Sequence, residues 1–262
     1  MSVLSYLQSL AGDALHWPGE KKKVTQAVDK LASRIKMYFG DEVVEHFKFG
    51  STIRGTSLPK VFSDTTDVDY LVAFADRSFK PKTLIQKLVR FAEEEYPRNV
   101  VYQSSPAVVI EMSAVTFELV PAQYTLIRFF HDFRIPNSSA TDWVATNPRG
   151  FEEKLVARNG ECHHKLKAAI RLAKVWNVEN NHVFSSYRLE TLAVEGSYSF
   201  DSNLRDYFRT LMLNLPEDEL DEKWRVKRLQ LGKARLSKAL ELEKAGDIKA
   251  AEKVLDDFFG VN

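Results

Sequence analysis

Two aspartates introduce an apolar segment in the first third of this chain. Asp67 and Asp69 flank Val68, and the apolar or aromatic run Tyr70–Phe74 follows. We predict a strand over Thr66–Phe74, and because alternate strand residues share a face, both carboxylates point the same way. Two like charges on a buried strand are costly without a cation, and a hard divalent ion such as Mg²⁺ would relieve that cost. A solvated strand end is the alternative, which the apolar run disfavours.

A turn rich in small residues precedes these aspartates. Residues 50–57 read Gly-Ser-Thr-Ile-Arg-Gly-Thr-Ser and follow a predicted strand over Val43–Phe49. Gly50 and Ser51 would let the backbone approach a ligand closely, and their amides and the Ser51 hydroxyl can face phosphate oxygens. Taken alone, the string is better explained by an ordinary turn, because such strings are common.

A single acid interrupts another predicted strand, Val115–Val120. Glu118 shares one face of this strand with Thr116 and Val120. A lone charge in such a position is expected to be paired with a lysine or arginine, or to bind a metal. Considered with the two aspartates, it completes a set of three acids on two strands, which is typical of a two-metal phosphoryl-transfer site.

The second half of the chain has a helical pattern from Phe151 onward. In a predicted helix over Glu161–Asn177, Lys174 adjoins an apolar stripe, so its stem can run along the core while its ammonium reaches a cleft. An exposed lysine is the simpler alternative. Ser185 and Ser186 precede another helix, where an N-cap hydroxyl is the ordinary explanation. Strands followed by helices indicate an α+β fold, with a catalytic lobe over residues 1–140 and a helical lobe over 141–262.

Composition limits the class of protein. The 37 basic and 36 acidic residues give a net charge of +1, and 44% of residues are hydrophobic. These values argue against a disordered chain and against a protein whose main task is to coat nucleic acid. We see no apolar run that could span a membrane and no signal peptide. One cysteine, Cys162, cannot form an intramolecular disulfide. We expect a soluble, cytoplasmic protein.

The motifs together resemble the DNA-polymerase-β-like nucleotidyltransferase superfamily. The resemblance rests on Gly50-Ser51, on Asp67-Val68-Asp69, and on an acid in the strand that ends Val120-Pro121-Ala122. Short motifs at residues 143–148, 174–177, 185–190 and 245–260 occur in the order seen in the oligoadenylate-synthase and cyclic-GMP-AMP-synthase branch. From about Phe47 to Gly260, the chain is similar to the bacterial cyclic-oligonucleotide synthases of antiphage signalling.

This resemblance implies a fold, a reaction and a set of site residues. The fold would be a nucleotidyltransferase lobe with a small mixed sheet, plus a helical lobe that closes the nucleotide cleft. The enzyme would join nucleoside triphosphates into a cyclic second messenger and release pyrophosphate. Asp67 and Asp69 would hold two Mg²⁺ or Mn²⁺ ions, with Glu118 sharing one of them. The implied nucleotide contacts are Gly50, Ser51, Lys174, Ser185, Ser186 and Tyr187, where one of the two serines holds phosphate and the tyrosine stacks on a base or packs in the core.

Two departures and several alternatives accompany the resemblance. Glu118 stands where the family usually has Asp, and Asp64 lies just before the aspartate pair without sharing its strand face. The chain could instead modify RNA, tRNA or a protein, make linear oligonucleotides, or bind nucleotides without catalysis. The implied partners are nucleoside triphosphates and a regulatory protein or infection signal, with no strong indication of DNA or RNA binding.

Overall fold

A computed structural model describes residues 1–15, 18–62, 67–113, 115–125 and 133–261. The chain divides into two units. A helical unit is built from residues 1–16, 58–64 and 154–262, and a sheet unit from residues 17–57 and 65–153. Asp64 and Thr66, which the sequence singled out, lie outside the described residues.

One sheet holds the strands of the described chain, in the order β1-β2-β5-β4-β3, with β6 pairing β5 and β7 pairing β6. Only the β2–β5 pairing in the described chain is parallel. The strands are β1 (Val43–Lys48), β2 (Asp67–Phe74), β3 (Val100–Ser104), β4 (Ala107–Glu111), β5 (Thr116–Tyr124), β6 (Phe133–Pro136) and β7 (Trp143–Thr146). The predicted mixed sheet is therefore confirmed.

The helices of the described residues lie before, between and after these strands. They are α1 (Val3–Asp13), α2 (Pro18–Phe39), α3 (Gly50–Arg54), α4 (Pro81–Glu95), α5 (Pro148–Glu161), α6 (Leu166–Glu179), α7 (Ser186–Glu195), α8 (Leu204–Leu213), α9 (Lys223–Lys244) and α10 (Ile248–Phe259). No helix in the described parts of the chain is both long enough and apolar enough to cross a membrane.

Helices α2 and α4 cover one face of the sheet. The apolar residues of α2 recur at helical spacing and are buried there with residues of α4 and with alternate strand residues. The cluster includes Val28, Leu31, Ile35, Leu84, Leu88, Phe91, Val68 and Phe117. Full burial of each such side chain stabilises the fold by about 1.5–3 kcal/mol. The opposite face carries a smaller apolar cluster of Leu71, Ala73, Ala122 and Phe133. This cluster does not include the first residues of β2, so polar side chains can occupy that part of the face.

The helical unit has its own core, which includes the first helix of the chain. Val3, Leu7 and Leu10 of α1 are buried in the same cluster as Trp176 and Phe258. Polar contacts strengthen this packing: the Val3 amide donates to Oε1 of Glu243 at 2.8 Å, and the hydroxyl of Tyr6 donates to Oδ1 of Asp256 at 2.8 Å. Cys162 is buried in this core and is a free thiol.

Several features of this architecture differ from the sequence-based prediction. The helix predicted over Glu161–Asn177 is divided, because α5 ends at Glu161 and α6 begins at Leu166. Residues 50–54 form a short helix rather than a turn. Strand β5 continues beyond Val120 to Tyr124, and strands β6 and β7 were not predicted. The division into units also differs from the predicted boundary at residues 140 and 141. Helix α1 belongs to the helical unit because its apolar face packs there, and β7 belongs to the sheet unit because it pairs with β6.

Candidate active site

The three acids singled out in the sequence share one face of the sheet. Asp67 and Asp69 open β2, and the parallel register pairs Asp69 with Glu118 and Asp67 with Thr116 on β5. Residues directly opposite each other on neighbouring strands point to the same face. Val68 lies between the aspartates and is fully buried on the opposite face, beneath α2 and α4. The pleat therefore directs the three carboxylates away from the core helices.

The electrostatics of Glu118 reflect this arrangement. Burial and, to a smaller extent, the charges of Asp69 and Asp67 together raise the pKa of its carboxyl to about 7. A carboxyl with a pKa near 7 is half protonated at physiological pH when no cation is present. A bound cation would favour the ionised form and reverse the shift.

Gly50 fits against the carboxylate of Asp69. Its φ of +76° lies in the left-handed region, and a Cβ built at this position would overlap Oδ2 of Asp69. Only glycine combines this backbone conformation with the absence of a side chain. The small residue predicted to permit close approach of a ligand thus permits, in the first place, the close approach of Asp69.

Helix α3 is anchored to the beginning of β2. The Phe49 amide donates to the Asp69 carbonyl at 3.0 Å, and Oγ1 of Thr52 donates to the Asp67 carbonyl at 2.9 Å. The carbonyl of Ser51 accepts hydrogen bonds from the amides of Thr56 and Ser57. Residues 50–57, predicted as a turn that could face phosphate, therefore form a short helix followed by a tight turn. Gly50 and Ser51 are consequently fixed beside the acids.

The donor set suits a divalent cation. Three carboxylates on one sheet face are the oxygen ligands that Mg²⁺ prefers. As their side chains stand, no three acidic, histidine or cysteine groups in the described residues converge tightly enough to enclose an ion. Like charges favour separated side chains until a cation joins them. The three residues therefore suit a divalent ion, because all are carboxylates and all lie on the same face of the sheet.

Lys174 occupies a position that the sequence did not specify. Its side chain is 3% exposed, and its Nζ donates to Oε1 of Glu190 at 2.6 Å within the helical unit. The exposed-lysine alternative is therefore wrong. Sequence reasoning missed Glu190, which is fully buried. Its spacing of three residues from the buried Ala193 on α7 is the pattern that could have placed it on the core face.

The remaining predicted nucleotide contacts lie at the start of α7. Ser185 is the N-cap, and its Oγ accepts from the Arg188 amide at 3.1 Å. Ser186 is the first helical residue and, like Ser185, is exposed. Tyr187 is 56% exposed, so it is not a core tyrosine. These residues and Lys174 belong to the helical unit, whereas the acids and Gly50 belong to the sheet unit. Their roles in nucleotide binding stay predictions.

The family of the chain follows from its sequence. A family model described as SMODS, the Second Messenger Oligonucleotide or Dinucleotide Synthetase domain, matches residues 1–159. That range includes Gly50, Asp67, Asp69 and Glu118. The chain belongs to the SMODS family. The branch of nucleotidyltransferases that the motifs indicated is thereby confirmed.

Known relatives agree with the SMODS assignment. A probable cyclic nucleotide synthase of Bacillus cereus is 24% identical over 139 residues, which are 49% of this chain and 42% of that protein. The chain thus matches less than half of this relative's length. CdnC of Escherichia coli MS115-1, solved with ATP, matches with a TM-score of 0.75 and 15% identity over 98% of this chain and 97% of that one. The CD-NTase CdnG of Bradyrhizobium diazoefficiens, solved with GTP, matches with a TM-score of 0.73 and 14% identity over 96% and 98%. At these identities the structures establish the fold.

Proposed function

We propose that this SMODS protein is a metal-dependent nucleotidyltransferase that joins nucleoside triphosphates into a cyclic oligonucleotide and releases pyrophosphate. The observation that carries the proposal is the register of two parallel strands, which sets Asp69 opposite Glu118, with Asp67 on the same face. The position of Gly50 against Asp69 supports it, as does the description of the family as second-messenger synthetases.

The three acids would bind the metal ions of the reaction. Asp67 and Asp69 would hold two Mg²⁺ or Mn²⁺ ions, and Glu118 would share one of them. When bound, these ions supply charge neutralisation and a lowered pKa for the attacking hydroxyl. A ribose hydroxyl would bond to the α-phosphorus as the bond to pyrophosphate breaks, and the hydroxyl proton would pass to solvent water. Gly50 and Ser51 flank the triphosphate, where the Ser51 hydroxyl can donate to a phosphate oxygen.

The helical unit would supply the remaining nucleotide contacts. Lys174 contacts the triphosphate, one of Ser185 and Ser186 binds phosphate, and Tyr187 stacks on a base. The exposure of Tyr187 supports the stacking role, and the position of both serines at the beginning of α7 suits an anion. The buried carboxylate of Glu190 would hold the Lys174 ammonium in one place.

The ligands and partners of similar proteins support a proposal for the substrates and the control of this chain. CdnC was solved with ATP and also in complex with HORMA, and CdnG was solved with GTP. We propose nucleoside triphosphates as substrates of this chain, a cytoplasmic role in antiphage defence, and control by a regulatory protein or an infection signal.

One experiment tests the reaction. The purified protein is incubated with the four ribonucleoside triphosphates and Mg²⁺ or Mn²⁺, and products are identified by mass spectrometry before and after alkaline phosphatase. Phosphatase-resistant products that phosphodiesterase cleaves are expected, because a ring has no terminal phosphate. Phosphatase-sensitive products would indicate a linear oligonucleotide synthase. Label that appears only on added RNA or protein would overturn the proposal in favour of macromolecule modification.

A further inference from the structure

A glutamate and a tyrosine lie on the acidic face of the sheet, Glu111 on the strand next to that of Glu118 and Tyr102 one strand further away. Register pairs Glu118 on β5 with Val109 on β4, and Val109 with Tyr102 on β3. With Asp69 opposite Glu118, these side chains form one row across four strands. Each step across the sheet is about 4.8 Å, so the backbone of Tyr102 lies roughly 10 Å from that of Glu118.

Tyr102 and Glu111 form a fixed pair on this face. The hydroxyl of Tyr102 donates to Oε1 of Glu111 at 2.9 Å, and Glu111 shares its face with Val109 because it lies two residues further along β4. The tyrosine ring is nevertheless 44% exposed. The hydrogen bond to Glu111, with burial and then the charges of Glu118 and Asp67, raises the pKa of Tyr102, which agrees with its place beside the acids.

The row has two different ends. The Phe49 amide and Gly50 border Asp69 at one end, and Tyr102 with Glu111 borders Glu118 at the other. The proposed function places the triphosphate beside Gly50 and Ser51, so the nucleotide that supplies the attacking hydroxyl approaches from the Glu118 side. Its phosphates are repelled by Glu111, whereas its uncharged base can contact an exposed aromatic ring.

We propose that Tyr102 and Glu111 bind the base of the attacking nucleotide and contribute to its selection. This inference rests on the proposed function. Tyr102 stacks on the base, which favours any base because each has a π-face. Glu111 accepts hydrogen bonds from the edge of that base. An ionised carboxylate only accepts hydrogen bonds, and within the described chain Oε2 of Glu111 makes none, so a base edge rich in N–H donors, such as that of guanine, is preferred.

The test varies one triphosphate at a time and measures initial rates and product composition for Tyr102→Ala, Tyr102→Phe and Glu111→Gln. We expect Tyr102→Ala to raise KM for one triphosphate at least fivefold, and Tyr102→Phe to restore it to within twofold, because the ring carries the stacking. Glu111→Gln should change the ratio of KM values among the four triphosphates at least fivefold. Gln103→Ala is the matched control, because Gln103 lies on the same strand with its side chain on the opposite face.

Each outcome decides the inference. Unchanged KM values and products in Tyr102→Ala and Glu111→Gln would overturn it, as would a lowered melting temperature with unchanged KM, which would show that the pair only stabilises the sheet edge. If the wild-type protein makes no product at all, the proposed function fails separately. Calorimetric binding of non-hydrolysable triphosphate analogues then decides: weaker binding by Tyr102→Ala but not by Gln103→Ala supports the subsite, and equal binding by both overturns it.

Discussion

The Nζ of Lys174 and the Oε1 of Glu190 lie 2.6 Å apart in the interior of the helical unit. Both side chains are almost completely excluded from solvent. A pair of this kind joins the stability of the unit to any role of the lysine in binding phosphate, because neither charge can be removed without affecting the other.

Removal of one charge of this pair should destabilise the protein strongly. We expect Glu190→Gln to lower the free energy of unfolding by about 3–5 kcal/mol, because the ammonium of Lys174 then stays buried beside a neutral group. The double variant Lys174→Met/Glu190→Leu should lose clearly less than the sum of the single losses. Urea denaturation of Glu190→Gln, of the single variants Lys174→Met and Glu190→Leu, and of the double variant measures these four values.

The control for this prediction is an ion pair at the surface. Lys87 and Glu42 are also 2.6 Å apart but are far more exposed, so Lys87→Met should cost about 1 kcal/mol or less. Equal costs for Glu190→Gln and Lys87→Met would show that the buried pair has no special weight.

Neutralisation of either aspartate should abolish synthesis without unfolding the chain. Asp67→Asn and Asp69→Asn each preserve size and remove one like charge near Glu118, so the metal-free melting temperature should stay the same or rise. Turnover should fall at least a thousandfold if both residues hold the catalytic ions. Glu93→Gln, which changes an exposed acid on α4, is the control, and retention of wild-type turnover by Asp69→Asn would contradict the two-metal assignment.

The raised pKa of Glu118 predicts how stability depends on pH. The unfolded chain loses this proton near the ordinary pKa of 4.5, whereas the folded chain keeps it until about 7. Between these values the folded state binds more protons, so the stabilising effect of the protonated form is complete at low pH and is lost as the pH rises to 7.

Glu118→Gln should remove this pH dependence. At pH 8 without metal, the variant should be more stable than the wild type by roughly 1–2 kcal/mol, a figure reduced for partial solvent screening. Saturating Mg²⁺ should stabilise the wild type at pH 8 more than the variant, which keeps Asp67 and Asp69 but lacks the third carboxylate. Urea denaturation at pH 5 and pH 8, with and without Mg²⁺, gives the four comparisons, and a wild type whose stability rises over this range relative to the variant would refute the assignment.

A methyl group at Gly50 should damage both fold and site. Gly50→Ala forces a left-handed backbone on alanine and drives its Cβ into the Asp69 carboxylate, so we expect a loss of stability of about 1–3 kcal/mol. Gly12→Ala is the matched control, because Gly12 lies in helix α1 with open space around it and should be neutral or stabilised by up to about 1 kcal/mol. Thermal denaturation compares the two, and synthesis should fall only in Gly50→Ala.

Local patterns predicted most of the longer helices and strands and singled out all three acids. Period-two alternation placed Asp67 and Asp69 on one face, and Pro81 at the first helical turn marked the beginning of α4. The register that sets Asp69 opposite Glu118 was not predictable, because it joins residues on strands separated by a helix and a hairpin. The pairing of Lys174 with Glu190 is likewise a contact between two helices.

The missed segments have physical reasons of their own. Helix α3 has five residues and β6 and β7 have four each, too few for a periodic signal. Pro121 argued for an end of β5 because proline cannot donate to a sheet. On the side of β5 away from β2, the pairing with β4 ends at Leu119 and the pairing with β6 begins at Gln123. Pro121 lies in the gap between these two pairings, so no hydrogen bond to β4 or β6 is lost because proline has no N–H, and the strand continues.

The hydrogen bonds from α1 to Glu243 and Asp256 have a consequence for synthesis on the ribosome. Val3 and Glu243 are separated by 240 positions. At about 5–20 residues per second, the first helix leaves the ribosome roughly 12–48 seconds before its partner helices are translated. Its apolar face, with Leu7 and Leu10, belongs to a core that α6 and α8 join earlier and that Phe258 of α10 completes last. The core of the helical unit can therefore close only after α10 has been synthesised.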